Sequence, residues 1–354
     1  MSEDADPMRG RRAFLGAAGG AFAATLLCVL SLAPFARALA QQPPKLPTVA
    51  ILSARAQTTD ACGANLQASG LPCFMEALRD LGYVEGKNVL FEMRFAGDDF
   101  KRLPALAAEL VRLRPDVIAT HTVPGAYAAA AATTTIPIIV GPASEEALTR
   151  LSGNLARPTG NVTGFTVSSV EQEVKCLQFL KELAPRTARV VVLLNPDNPS
   201  HRNYPGILAP AAAQLGVTLT KVVARNAADL PQAFAAIMAS GADAIYLVDD
   251  AALAGNGSVR RQVGEWALSR KLPLASSNAR VAADGGLVSF GTDLNVLTRR
   301  AAAYVDKVLK GARPADLPVE RPSKYNLSVN NKTARALGFA IPQSLLLRAD
   351  EVIQ

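Results

Sequence analysis

The sequence predicts an α/β protein with two doubly wound, Rossmann-like parallel sheets, and three observations support this. Short apolar runs alternate with helical periodicities along most of the chain. The same order of strands and helices occurs twice, with Asp-x-Ile at 116–118 and 243–245 and apolar-Pro-apolar at 136–138 and 272–274. The length of 354 residues is too great for one small core and fits two compact domains.

The first half contains four apolar strands separated by amphipathic helices. Strands are predicted over 48–52, 88–95, 116–120 and 136–140. Helices are predicted over 74–81, 103–113 and 125–132, where glycine or proline marks most of the boundaries.

The second half repeats this arrangement after a helix predicted over 170–183. Its strands are predicted over 190–194, 217–223, 243–247 and 272–274. Its helices are predicted over 210–215, 231–239 and 259–269. Two halves of the same βαβ order indicate two similar lobes.

A third block, from Gly285 onward, does not repeat. It contains a strand over 287–290, a strongly amphipathic helix over 294–309, a strand over 325–329 and a short helix over 332–337. A tail that returns to both halves makes more than one crossover, and such crossovers form a hinge beside a cleft. The expected limits are 47–163 plus about 285–318 for lobe I, and 164–284 plus about 319–354 for lobe II.

Residues 1–40 have the pattern of an export signal. Arg11-Arg12 directly precede Ala13-Phe14-Leu15, as in a twin-arginine signal, and the apolar run continues to Phe35. Ala38-Leu39-Ala40 is an A-x-A cleavage site, so we expect cleavage after Ala40 and a periplasmic protein.

Two other interpretations of this leader stay open. The apolar run is long enough to be a retained membrane anchor. Alternatively, Cys28 could carry a lipid, but Leu27 stands where a lipoprotein signal needs a small residue.

Three cysteines follow the leader. Cys62 and Cys73 flank one polar stretch and are a disulfide candidate in an oxidising compartment. Closing that loop stabilises the fold by about 3 kcal/mol in the chain-entropy model. Cys176 lies in a helical pattern and is expected in the core.

The composition excludes several classes of function. The net charge is +7 without any run of five basic residues, so no nucleic-acid partner is indicated. Two histidines leave little room for a metal site, and a phosphate loop, a G-x-S-x-G turn and a C-x-x-C pair are all missing. We therefore expect neither a metal nor a cofactor, and no enzyme.

Ligands of parallel sheets bind beyond the carboxyl ends of the strands. The candidate ligand-binding residues at those ends are Ser53, Thr120, Thr122, Gly141, Asn195, Asn198, Asp249, Asp250 and Asn278. Hydroxyls, amides and carboxylates suit hydrogen bonding to a small polar ligand, although the same residues also cap helices. A ligand carboxylate would suit helix N-termini, and a ligand ammonium would suit Asp249 or Asp250. His121 also lies at a strand end, as a hydrogen bonder rather than a base.

Several motifs resemble the periplasmic substrate-binding proteins of ABC importers, in the group linked to tryptophan and other aromatic amino acids. They are Leu81–Asn88, Asn161–Gly164, Asn195–Pro199, Gly285–Ser289, Lys310–Glu320, Asn331–Gly338 and Arg348–Ile353. Together they cover essentially the whole chain after the leader.

This resemblance implies a type I periplasmic-binding fold with three crossovers, a small-molecule ligand between the lobes, a permease partner in the inner membrane, and no catalysis. By motif position it assigns ligand contacts to Thr122, Asn195, Asn198 and either Asp249 or Asp250. The loop over 55–72 is longer than usual, and 141–144 lacks the usual Asp-Pro, so the ligand's identity does not carry over. We expect a monomer.

Two alternatives from other classes remain. A two-lobed, cofactor-independent racemase would place Cys62 and Cys176 on opposite sides of the cleft. A ligand-sensing subunit of a membrane signalling system would share the fold and differ only in its partner.

Overall fold

The computed structural model describes residues 45–57 and 70–354. The expected export signal, Cys28 and Cys62 lie outside these described residues. Every element below belongs to one compact unit, Pro47–Gln354. In the part of the chain that the structure describes, no helix has the length and hydrophobicity needed to cross a bilayer.

Lobe I is built on a five-stranded sheet in which every pair of neighbouring strands is parallel. Its strands are β1 (Thr48–Ser53), β2 (Leu90–Phe95), β3 (Val117–Thr120), β4 (Ile138–Ser144) and β5 (Val162–Ser168), in the order β2-β1-β3-β4-β5. Alternate residues of β1 pack into two separate clusters on the two faces, so the sheet is covered on both sides.

The helices of this part of the chain follow the strands in turn. They are α1 (Gly70–Asp80), α2 (Leu103–Arg112), α3 (Val123–Ala132) and α4 (Glu145–Ser152). A 3-10 turn (Phe100–Arg102) precedes α2. Thr122 and Ser144 are the N-caps of α3 and α4, so both helices begin at the carboxyl edge of the sheet.

Lobe II has a seven-stranded sheet that repeats the same order and extends it. Its strands are β6 (Arg189–Leu194), β7 (Thr218–Val223), β8 (Ala244–Leu247), β9 (Leu274–Ser276), β10 (Val288–Gly291), β11 (Asn326–Asn330) and β12 (Glu351–Ile353). The order β7-β6-β8-β9-β10 matches that of lobe I strand for strand. Only the pairing of β10 with the added β11 is antiparallel.

The remaining helices cover both faces of this sheet or return to lobe I. They are α5 (Val170–Leu183), α6 (Tyr204–Gln214), α7 (Leu230–Ala239), α8 (Gly257–Ser269), α9 (Leu294–Leu309), α10 (Asn331–Leu337) and α11 (Gln343–Leu346). Short 3-10 turns lie at Pro199–His201, Ala227–Asp229 and Pro314–Asp316.

The chain passes between the lobes three times, which confirms the expected three-crossover hinge. The first passage joins β5 to α5, which packs on β9 and β10. The second joins β10 to α9, which packs on α1 and on the first sheet. The third follows Glu320, which is bridged to Phe165 of β5, and leads into β11.

Two segments lie in a different lobe from the one that the sequence limits would give them. Strand β5 completes the first sheet, although residues from 164 were assigned to lobe II. Strand β10 completes the second sheet, although residues from 285 were assigned to lobe I. Each of these two strands is the fifth of its lobe's shared strand order. The chain crosses to the other lobe after this strand, not before it.

Strand β5 and helix α4 are not predicted from the sequence, for identifiable reasons. Helix α4 is short and polar, with Glu145, Glu146 and Arg150 among its eight residues. Strand β5 contains Gly164, which is usually unfavourable in a strand. Here a side chain at Gly164 would collide with the Val140 carbonyl oxygen, so the close approach of β4 and β5 requires glycine.

Candidate functional site

A cavity of about 800 Å³ lies between the two lobes, at the carboxyl ends of their strands. Lobe I contributes the ends of β1, β3 and β4 and the first turns of α3 and α4. Lobe II contributes the segments after β6, β8 and β9 together with residues of α5 and α6. The walls therefore come from both halves of the internal repeat.

Six of the nine predicted site residues line this cavity, and they come from both lobes. They are Ser53, Thr122, Asn198, Asp249, Asp250 and Asn278. Topology explains this result, because the carboxyl ends of parallel strands meet at one edge of a sheet and the hinge sets the two edges face to face.

Asp250 lines the cavity, but both of its carboxylate oxygens have partners within lobe II. Oδ1 accepts hydrogen bonds from the Ala252 N–H (2.9 Å) and from Asn195 Nδ2 (3.2 Å). Oδ2 accepts one from Asn198 Nδ2 (2.8 Å). With an exposed fraction of 3%, Asp250 holds the Asn-Pro turn in place and has little capacity left for a ligand.

The neighbouring Asp249 is more available. Its Oδ1 accepts a hydrogen bond from Asn278 Nδ2 (2.8 Å). Burial raises the pKa of Asp249, and the nearby charge of Asp250 adds to that rise, although the bond from Asn278 opposes it. A carboxylate in this position gains from an arriving cation, which would favour its charged form.

Three predicted site residues do not lie on the cavity wall. Thr120 is fully buried beneath the start of α3, and its Oγ1 contacts the Thr122 carbonyl. Asn195 is 1% exposed and bonds Asp250 and the Arg225 carbonyl. Gly141 leaves space for its neighbour, because a Cβ there would lie 2.8 Å from Nδ1 of His121. These residues position the wall without forming it.

His121 lines the cavity at the end of β3, where it packs edge-to-face on Phe74 at 4.8 Å. Both ring nitrogens are buried and have no hydrogen-bond partner among the described residues. Burial lowers the pKa of His121 to about 4, so the ring is neutral at pH 7. A neutral imidazole offers a ligand one donor and one acceptor.

Direct hydrogen bonds join the lobes across the cavity. Ser144 Oγ and Ser200 Oγ lie 2.9 Å apart, and Arg55 Nη1 donates to the Gly255 carbonyl at 2.5 Å. The first member of each pair belongs to lobe I and the second to lobe II. The lobes are therefore closed on each other in this structure.

Several wall residues lie away from the strand ends and are therefore not predicted from the sequence. Glu173 and Tyr204 lie inside helices α5 and α6, and Arg280 lies four residues after β9. Glu173 and Tyr204 follow the 3.6-residue period of a core-facing helical stripe, so periodicity alone assigns these two residues to the core.

The arrangement does not suit thiol or metal chemistry. Cys176 is fully buried off the cavity wall, and its Sγ donates to the Ser276 carbonyl at 3.2 Å. Burial raises the pKa of Cys176 to about 12, whereas a racemase needs a reactive thiol facing the cleft. Within residues 45–57 and 70–354, no group of acidic, histidine and cysteine side chains could hold a metal ion.

Known proteins that are similar to this chain have the same fold or belong to the same family. The family model described as ABC transporter substrate binding protein matches residues 63–353. A relative named tyrosine-binding protein, from Clostridioides difficile (strain R20291), is 25% identical over 264 residues, which cover 75% of each chain.

Two solved structures share the fold over 87% of this chain and 100% of theirs. One is a conserved domain protein from Vibrio cholerae, with a TM-score of 0.75 and 27% identity. The other is described as an ABC domain in complex with L-Trp from Streptococcus pneumonia, with a TM-score of 0.74 and 24% identity.

Proposed function

The chain belongs to the family of ABC transporter substrate binding proteins, and from this premise we propose that it captures an α-amino acid in the cleft and delivers it to an ABC permease. The observation that carries the proposal is the polarity of the two cavity walls. Lobe I presents hydroxyls, helix N-termini and two glutamates that are paired with Arg321 and Arg150, whereas lobe II presents carboxylates and amides together with Arg280.

This polarity matches a zwitterion lying across the cleft. The hydroxyls of Ser53 and Thr122 offer hydrogen-bond donors to a carboxylate, and the N-terminus of α3, which has no acidic residue in its first turn, favours that negative charge. Asp249 offers a charge-assisted hydrogen bond to an ammonium group. His121 adds a neutral hydrogen-bonding group to the lobe I wall.

The size and apolar surface of the cavity favour a bulky side chain. Leu71, Val123, Val167, Ile207 and Leu208 all line it. Two of the similar proteins support an aromatic ligand, since one is named for tyrosine binding and the other was solved with L-Trp. We therefore place an aromatic amino acid first among the candidates.

The hydrogen bonds between Ser144 and Ser200 and between Arg55 and Gly255 supply a means of closure. In this proposal the ligand joins the two walls, and the closed lobes present a combined surface to the permease. The expected receptor is a periplasmic monomer, exported by the twin-arginine leader and cleaved after Ala40.

The cysteine arrangement of the receptor is also open to test. Cys73 is buried on α1 and is not a free thiol, and we propose Cys62 as its partner. The mature protein, denatured without reductant, should then titrate one thiol, that of Cys176, and reduction should raise the count to three. Three thiols before reduction would rule out the bridge.

A binding panel tests the function itself. The chain from Gln41 onward would be purified through denaturation and refolding, to remove bound solute, and scanned with the twenty amino acids. A ligand at 100 times its Kd should stabilise the protein by about 2.7 kcal/mol and raise its Tm. If no amino acid raises the Tm, or if one is converted to another product, the proposal fails.

A further inference from the structure

Glu173 is a buried carboxyl on the cavity wall. The proposed contacts to the ammonium and carboxylate groups of the ligand do not involve it. It lies in the first turn of α5, directly after the first crossover, and its exposed fraction is 5%. The hydroxyl of Tyr246 donates a hydrogen bond to its Oε2. The positive end of the α5 dipole accounts for an acid at this position, but not for its burial.

No cation compensates this carboxyl within the described chain. The titratable groups that face it are Cys176 on α5, Tyr204 on α6, and Tyr246 and Asp249 at the end of β8, none of which carries a positive charge. Burial raises the pKa of Glu173 to about 7. A buried carboxyl without a cation is costly, and such groups are common at functional sites.

Two further buried hydroxyls, those of Tyr204 and Ser277, face Glu173. They lie close enough to lower its pKa as hydrogen-bond partners, but neither forms a hydrogen bond of normal geometry. Most buried polar groups in proteins form well-aligned hydrogen bonds, so this loosely paired group around one carboxyl calls for an explanation. Because Glu173 and Tyr204 both line the cavity, a bound ligand can supply the missing partner.

The helices that carry these groups also place apolar side chains beside them. Tyr204, Ile207 and Leu208 share one face of α6, and Val170 and Glu173 share one face of α5. All five line the cavity. This region of the wall therefore combines apolar side chains with the polar groups of Glu173 and Tyr204.

We infer that these faces of α5 and α6 form a side-chain subsite for an apolar side chain that ends in a hydrogen-bond donor. A phenol hydroxyl and an alkyl ammonium share this chemistry. The inference rests on the proposed function, because it requires an amino acid in the cleft, and it adds that Glu173 selects among amino acids.

Matched ligands test the subsite by isothermal titration calorimetry on the mature protein. Tyrosine differs from phenylalanine by one hydroxyl, and lysine differs from norleucine by one ammonium group. At least one donor ligand should bind about tenfold or more tightly than its partner, because the partner leaves buried groups unpaired. The pair with the larger ratio of Kd values identifies the preferred donor as a phenol or an amine.

Two variants then assign the preference to Glu173. E173Q should reduce it to about threefold or less, with little change for the ligand lacking the donor. Y204F removes one hydroxyl without changing the ring and should weaken the same preference. E182Q, on the same helix but paired with Arg348 at the surface, should leave it unchanged.

Two results overturn the inference while the proposed function stands. The wild-type protein could bind phenylalanine and norleucine as tightly as their donor-bearing partners, or the preference could survive in both E173Q and Y204F. A protein that binds none of the twenty amino acids instead refutes the proposed function, and the subsite with it.

Discussion

The two lobes share one strand order but present different chemistry at their facing edges. In lobe I the strand ends carry Ser53, Thr122 and Ser144, and two of these cap helices. In lobe II the corresponding ends carry Asn198 and Asp249. Topology places both sets of residues on the wall of one cavity, and in the proposed function their chemistry decides which end of the ligand each lobe binds.

The lobes also differ in the buried titratable group that each sets on the cavity wall. Burial lowers the pKa of His121 in lobe I to about 4 and raises that of Glu173 in lobe II to about 7. Both shifts favour the neutral form. As the pH rises, the His121 shift increases the stability of the fold and the Glu173 shift decreases it. The two contributions can therefore be measured separately.

The largest expected effect concerns Glu173. Its folded pKa exceeds the ordinary value, so the folded protein binds more protons than the unfolded chain between about pH 4.5 and 7. Stability from this group is thus present at low pH and lost as the pH rises, by about 3 kcal/mol. E173Q should gain about that much relative to wild type between about pH 4.5 and 8.5, in urea unfolding.

E182Q serves as the control for this titration, because Glu182 is a surface residue of the same helix. Its difference from wild type should change little with pH. A difference profile for E173Q that is equally flat would mean that the pKa of Glu173 is not raised in the fold, against the account given for lobe II.

Replacing Asp249 should cost the most in ligand binding. D249N removes the carboxylate proposed to hold the ammonium group, and losing one partner of a buried charge pair costs about 2 kcal/mol or more, about 30-fold in Kd. Stability without ligand should not fall, because burial disfavours the charged form of Asp249 and the amide oxygen can still accept the hydrogen bond from Asn278. D197N, on the exposed turn of the same lobe, should bind normally.

Equal losses of affinity in D249N and D197N would show that only the general negative field of lobe II matters. An unchanged Kd in D249N would remove Asp249 from the site, and the ammonium would then belong elsewhere on the lobe II wall.

Substitution of Gly141 tests the packing of the lobe I wall, and its expected effect is smaller than that of D249N. In G141A the new methyl group would meet His121 Nδ1 at 2.8 Å and the Thr120 carbonyl at 3.2 Å. We expect a loss of about 1–3 kcal/mol in stability from this overpacking, together with weaker binding as the ring moves. G160A places a methyl group in open space and is the matched control. Equal unfolding midpoints for the two variants would contradict the close packing described for His121.

The smallest effect is expected where the lobes touch. The hydrogen bond between Ser144 and Ser200 should contribute about 0.5–1.5 kcal/mol to closure, which corresponds to about 2- to 12-fold in Kd. S144A and S200A should each weaken binding by that amount, and the double variant should be no worse than either alone. Fully additive losses would show that the two serines act separately.

The sequence was sufficient for ten of the twelve described strands and for part of the site. The strand-end rule selected Ser53, Thr122 and Asp249 because it depends only on topology. The same rule also selected Thr120 and Asn195, which are buried behind the cavity wall. A shift of one residue along a strand or turn is enough to move a side chain from the wall to the interior, and the rule does not resolve that shift. Glu173 and Tyr204 could not be found, because a helical stripe facing a cavity has the same periodicity as one facing a core.

The most direct test of the central claim is calorimetric titration of the mature protein with L-tyrosine and with two analogues. One, 3-(4-hydroxyphenyl)propionic acid, lacks the ammonium group, and the other, tyramine, lacks the carboxylate. If the zwitterion spans the cleft from lobe I to lobe II, tyrosine should bind and each analogue should lose about 30-fold or more. Binding of either analogue as tightly as tyrosine would contradict this account of the cleft.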